Sequence, residues 1–540
     1  MTEPPLTGFL LSRDYLNFRV VSRTEETVTK FKGGSSAGKA LPGDMVTWDP
    51  VANTCKVLMR TKHHPIVGVL ELASKTKYGM TSRGAPMYLF APCRAEYPFF
   101  VVGCSERNTS HNQLAVIDFE KWDTTELPRG NLRQLLGKCD DFETQKAAAL
   151  LTFNPFKTPR GLGQGLAPPK IQKNRQQCPS LTFNIDPQGC WDIDDVLSIR
   201  KITEDRMELW ITIADVAEAI QPNTDLDEYA AQQALTAYEN RTAVRPMLPA
   251  VFSEGHCSLL PDTEKHGVSL ILEFSATAPE KIINHYWRLT WLNNRHQFSY
   301  DDFKERASTV GIPVDLVGAV ASGILGRKTD DTHEWIEAFM LKYNMEAADL
   351  LRQVGRGVLR KHEMPDYEKL ALYTSIGGPA LAVLANRSAV YCGANDPAPL
   401  HYGLKAQVYC HATSPIRRYA DLINQRVIKD ILLGTHTDVR PDLVWLNQRQ
   451  RDMKQYERDL FFLCQIEFCK SATIDAIVLK REDTKMKLWI PAWKRTVSWK
   501  TMNIPDAPEG AGLRLSYFTN PAARRWKDRI VFRFLEFSKV

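Results

Sequence analysis

Residues 185–195 read IDPQGCWDIDD, and Asp186, Asp192, Asp194 and Asp195 fall within ten positions. Carboxylates held this close repel one another unless a positive partner offsets them. An EF-hand loop does not fit, because no glycine stands at the sixth position and no glutamate at the twelfth in either register. A glycosidase pair needs two carboxylates, fewer than this cluster supplies. A hard divalent cation such as magnesium takes oxygen ligands and neutralises such a group. Asp192 and Asp194 share a face if the segment is extended. Asp195 must then be turned in by a bend, with Asp186 reaching across the Pro187–Gly189 loop. Two metals for phosphoryl chemistry suit that arrangement. From spacing alone, a solvated acidic turn is the alternative.

A second stretch, HATSPIRRYADL, bears on the choice. Ser414 suits a helix N-cap and Pro415 the first helical position. That placing puts Arg417 and Arg418 in the first turn, against the helix dipole, where an anion is favoured and a cation is not. Asp421 stands one turn beyond Arg417, within reach of its guanidinium. The plainer reading is two solvated arginines. Taken together, the two stretches suggest cleavage of a phosphodiester.

The elements that must position these groups differ along the chain. Residues 1–165 hold short apolar runs (DMVTW, CKVLMR, PIVGVLEL, PFFVVG) between Gly, Pro and polar clusters, which suits two small OB-type barrels, 1–75 and 76–165, or a sandwich. Within them GGSSAGKA resembles a phosphate loop, but it lacks the hydroxyl residue after Lys39 and leads into a strand pattern, so a flexible loop is expected and no nucleotide cofactor. The composition turns Pro/Gly-rich from 154, with five basic and no acidic residues to 180; the linker itself is placed at 166–180, as a solvated tether or a strap beside a polyanion. Residues 181–470 mix strands and helices, among them MELWITIADVAEAI, THEWIEAFMLKYNMEAADLLRQV and VWLNQRQRDMKQYERDLFFLCQIEF. Residues 471–540 return to strands and carry 14 basic against 7 acidic residues. Trp489, Trp493, Trp499, Tyr517 and Trp526 interleave with those charges, as a single-strand binding surface or as barrel core.

The bulk properties set limits. The chain has 540 residues, 44% hydrophobic and 24% charged, with a net charge of only +6, so nucleic-acid binding requires local basic surfaces. No apolar run reaches membrane-spanning length, and the opening residues lack the pattern of a secretory signal. The 11 cysteines include no C-x-x-C pair; the closest, Cys464 and Cys469, are five apart. That disfavours structural zinc and a disulfide scaffold, and favours a reducing compartment, the cytoplasm first and the nucleus second.

FNIDPQGCWDIDDVLSI, LWITIADVAEAI, MLPAVFSEGHCSLLPD, LRKHEMPD and HATSPIRRYADLINQRV, in that order, resemble the successive signatures of the ribonuclease II/R family, whose catalytic module is the RNB domain. KALPGDMV and FEKWDTTELPRGNLRQLLG resemble the cold-shock domains of its eukaryotic branch, which includes the exosome's catalytic subunit. No endonuclease-type domain is expected ahead of them. The resemblance implies an α+β multidomain chain: cold-shock/OB barrels flanking a mixed α/β RNB domain at 181–470, with a short basic OB-like domain at 471–540.

It also implies a processive, magnesium-dependent 3′-to-5′ exoribonuclease that releases nucleoside 5′-monophosphates from single-stranded RNA, with manganese as the alternative ion. Asp186, Asp192, Asp194 and Asp195 would bind metal, and Asp194 and Arg417 would carry catalysis. Tyr238 would stack on a base near the 3′ end, Arg417 and Arg418 would meet phosphates, and Glu457 would lie beside the terminal nucleotides. Val196, Ala412 and Gln425 depart from the family pattern, which bears on substrate preference and speed. Two rivals remain: an RNA-binding protein that keeps the fold without activity, and a structural subunit of a larger decay complex.

Overall fold

The computed structural model describes residues 6–22, 27–61, 63–123, 125–468, 473–500, 505–520 and 530–538, without the side chains of 377–380. The chain divides into two compact units, one of Met1–Pro155, Asp366–Ala385 and Asp452–Val540, the other of Phe156–Pro365 and Asn386–Arg451.

The first unit holds three β modules. Strands Leu6–Ser12, Asn17–Val21, Thr27–Lys32, Met45–Asp49 and Thr54–Met59 form one sheet with the first strand at its centre. Phe18, Phe31 and Trp48 stack in its core, with centroids 5.0 and 4.2 Å apart. Five further strands, from Ile66–Leu70 to Arg129–Lys138, close into a barrel. Ile66–Leu70 therefore belongs to the second module, although it precedes the expected boundary at residue 76. GGSSAGKA is no flexible loop: Gly34–Ala37 makes a 3₁₀ turn with Ser36 and Ala37 buried.

The third module repeats the strand order of the first, with Thr473–Glu482 at its centre. Trp493 and Trp499 are core residues at 2% and 6% exposure, and Tyr517 packs against them. Trp489 packs with Ile477 and Leu479. These aromatics fill the module rather than face solvent; Trp526 and Cys469 lie outside the described residues. The helix Tyr367–Ala382, from within the expected catalytic region, joins this module through Tyr373 and Leu381.

The second unit is built on a seven-stranded sheet, with Arg206–Ala214 at its centre between Glu264–Ser275 and Asp195–Lys201. Side chains alternate across a strand. Leu209, Ile211 and Ile213 accordingly enter one core with Trp335, Phe339 and Tyr343 of the helix Thr332–Val354. Trp210 enters another with Val216, Met247 and Leu422. Burial on both faces explains why this strand reads as an apolar run interrupted only by Glu208 and Thr212.

The end of the expected linker is structured within this unit. Gln176–Gln177 is an edge strand of the sheet and pairs with the strand Ala278–Asn293. Lys173 meets Glu264 at 2.6 Å and lies 3.4 Å over the Trp291 ring. Arg175 is buried between Asp215 (2.7 Å) and Glu218 (2.6 Å).

Candidate active site

Asp186 follows the strand Thr182–Ile185, and Asp195 opens the strand Asp195–Lys201. Between them Gly189 takes φ 81°, a turn conformation that side chains resist. Ser258 pins the segment by accepting from Ile193 N–H (2.9 Å) and donating to the Trp191 carbonyl (2.7 Å). The Asp194 carbonyl accepts from Ala214 N–H at 2.8 Å, tying the segment to the central strand.

The carboxylates then face partners from distant segments. Asp194, 4% exposed, accepts from Ile416 N–H at 3.0 Å through Oδ1, and its Oδ2 lies 3.3 Å from Arg417 Nε. Asp192 accepts from the Tyr238 hydroxyl at 2.6 Å and from Cys190 Sγ at 3.4 Å. Asp186 accepts from Asn184 Nδ2 at 2.9 Å. Burial pushes the Asp194 carboxyl up to about 7, against the pull of Arg417. Burial also raises Asp186, and raises Asp195 strongly, with Asp186 and Asp194 adding to the shift of Asp195. Sequence reasoning missed Tyr300, which burial and the charges of Asp186 and Asp195 push up to about 12. It also missed Ser258. Neither residue type by itself signals such a role.

Four carboxylates thus share one electrostatic neighbourhood with Arg417. The donor set is all oxygen and short of positive charge, which fits a hard cation in kind. Among the described residues no three His, Cys, Asp or Glu side chains converge closely enough to hold an ion. Asp192 and Asp194 are instead engaged by Tyr238, Ile416 and Arg417.

The arginine segment corrects two expectations. The helix does not start at Ser414–Pro415; it spans Tyr419–Leu433, with Arg418 extended at its N-cap (φ −135°, ψ 121°). The Ser414 carbonyl accepts from Arg417 N–H and Arg418 N–H, forming one turn. The backbone then bridges residues 234–236: Tyr419 N–H donates to Ala234 O, and Thr236 N–H to Arg417 O. Those tertiary bonds occupy groups that a longer helix needs. Nor does Asp421 hold Arg417. It binds Arg418, with Oδ1 2.9 Å from Nε and Oδ2 2.6 Å from Nη2, and also accepts from Ser414 N–H at 2.8 Å. Arg417 turns to Asp194 and keeps 47% of its side chain exposed.

The remaining residues fall as follows. Tyr238 sits in the hairpin strand Ala237–Glu239. Glu457 belongs to the first unit, on the helix Leu443–Phe468. Gln425 bridges the turn after the central strand, donating to Ala214 O (2.7 Å) and accepting from Ala217 N–H (2.9 Å). Val196 and Ala412 are buried.

Two family models match the chain: the RNB domain over residues 175–315 and 380–434, and the Dis3-like cold-shock domain 2 (CSD2) over 87–154. Residues 175–315 and 380–434 carry an RNB domain. The RNB match covers all four aspartates, Tyr238 and Arg417. The probable exosome complex exonuclease RRP44 of Caenorhabditis elegans is 25% identical over 459 residues, 67% of this chain and 47% of that protein. Human RRP44 is 24% identical over 455 residues, with the same coverage. Ribonuclease R of Chlamydia pneumoniae is 27% identical over 316 residues, 46% of each chain. This RNB protein spans about half the length of these curated relatives.

Among solved structures, Mycoplasma genitalium RNase R in complex with ribose methylated single-stranded RNA superposes with a TM-score of 0.75 at 16% identity, over 98% of this chain and 100% of that one. Yeast Ssd1, a pseudonuclease, gives 0.70 at 16%, over 95% and 82%. At such identities these likenesses show the shared fold.

Proposed function

We propose that this chain is a 3′-to-5′ exoribonuclease that hydrolyses single-stranded RNA to nucleoside 5′-monophosphates and depends on magnesium, with manganese as a substitute. The contact that carries the reading is Arg417 Nε 3.3 Å from Asp194 Oδ2, inside a neighbourhood that retains all four aspartates. Asp186, Asp192, Asp194 and Asp195 would hold the metal. When bound, magnesium activates water and stabilises the leaving oxygen. Arg417, half exposed, stabilises charge on the phosphoryl oxygens. Tyr238 offers a ring for the base near the 3′ end and a hydroxyl that orients Asp192. The cysteines include no C-x-x-C pair, a usage that suits a reducing compartment, the cytoplasm before the nucleus.

One test decides the matter. Purified protein is incubated with end-labelled single-stranded RNA, with and without magnesium. Stepwise shortening from the 3′ end that stops with a chelator is expected; intact RNA sinks the reading.

A second reading is an RNA-binding protein without hydrolysis. The observation in its favour is that no three candidate ligands are drawn together among the described residues. RNA retention without cleavage at any magnesium or manganese concentration would select it.

A further inference from the structure

Arg360, on the strand Val358–Lys361, is only 7% exposed. Its guanidinium carbon lies 5.0 Å from the centre of the Tyr391 ring, and its Nη1 is buried without a hydrogen-bond partner. Among the described residues no carboxylate pairs with it. A buried cation without a counter-charge is strongly unfavourable. Burial, reinforced by the charge of Arg418, lowers its pKa in spite of Asp421. Asp421 binds Arg418 and Ser414 N–H and makes no ion pair with Arg360. Arg360, Arg418 and Asp421 therefore leave one positive charge unanswered.

The other polar groups nearby suit an anion. Tyr409 lies in the same field, and its hydroxyl accepts from Asn344 Nδ2 at 3.1 Å, leaving its own hydrogen to donate.

We propose that Arg360, backed by Arg418 and the Tyr409 hydroxyl, forms a phosphate-oxyanion site flanking the loop that carries Arg417. The phosphate is either a phosphodiester of the bound RNA strand or the monoester of a released nucleotide. The first source rests on the nuclease reading above.

The test compares the full chain with its Arg360→Met variant. Thermal melts are recorded with inorganic phosphate or adenosine 5′-monophosphate against chloride at matched ionic strength. Binding of a ribose-methylated oligonucleotide is measured in chelator across a salt series. Without ligand, Arg360→Met should melt no lower than the parent, since an unpaired buried charge is removed. For a monoester site, phosphate and the mononucleotide raise the parent's midpoint by about 2 °C and leave the variant unmoved. For a phosphodiester site, the variant binds RNA about tenfold more weakly and its salt slope falls by about 1.

Either pattern supports the site and names the source. Equal responses in every arm overturn the site while leaving the nuclease reading intact. A parent that binds no RNA, yet shows the phosphate difference, strikes the nuclease reading and leaves the site standing. Should Arg360→Met not fold, Tyr409→Phe, which deletes one hydroxyl, is taken through the same arms; an unchanged response overturns the proposal.

Discussion

Arg417 Nε stands 3.3 Å from Asp194 Oδ2, while its neighbour Arg418 turns to Asp421. Adjacent arginines thus have separate work, one at the half-exposed site and one in a buried pair. Arg417→Ala should lower single-turnover cleavage at saturating RNA by about 10²–10³, as for loss of a transition-state contact. Arg418→Ala should act on the fold, because it strands a buried carboxylate at a cost of about 3–5 kcal/mol. Single-turnover rates and thermal melts of both variants check this. A normal melting midpoint for Arg418→Ala would count against the division.

Asp194→Asn keeps the side chain's shape and removes the charge that a hard cation requires. Hydrolysis should disappear while RNA affinity stays within about threefold of the parent, since the change removes no side chain proposed to contact RNA. A rate loss below tenfold, about 1.4 kcal/mol of barrier, is incompatible with the assigned role.

In the C-terminal module Lys480 stands directly across from Lys487 on the neighbouring strand. Like charges so placed destabilise a sheet, and a polyanion relieves the repulsion. Replacing both lysines with alanine should weaken RNA binding, flatten its salt slope by about 2 and leave the melting midpoint unchanged or higher. Titrations at several salt concentrations decide it; an unchanged slope makes the basic face incidental. Deleting 471–540 is a poorer test, because the helix Tyr367–Ala382 packs on Ile477 and Leu479 and would be stripped with it.

Burial, with help from His362 and Arg360, lowers His401 to about 4. The unfolded chain, with an ordinary histidine near 6.5, then binds more protons than the folded one between about pH 4 and 6.5. Stability should therefore rise with pH across that window, by on the order of 1–3 kcal/mol from this group. His401→Gln should flatten the dependence in urea melts at pH 5 and 7. A variant that keeps the full slope assigns it to other groups.

Some of this was legible in the chain alone. The stretch MELWITIADVAEAI reads as an apolar strand running into a helix, and the strand Arg206–Ala214 is followed by the short helix Val216–Ala219, because solvent exclusion is written residue by residue. The helix Thr332–Val354 coincides with its periodic stretch for the same reason. The signatures around the aspartates and Arg417 named the family, and the RNB match falls on them.

Partner choice was not legible. Ser414 and Pro415 look like a helix start, yet the bridge from Leu235 to Arg418 takes the backbone groups and moves the start to Tyr419. The spacing of Asp421 suits either arginine; only the extended Arg418 presents its guanidinium to it. The hold of Ser258 on Ile193 and of Tyr238 on Asp192 joins segments far apart in sequence. Local pattern records burial and turn preference, whereas the partner of a polar side chain depends on which distant segment the completed fold brings beside it.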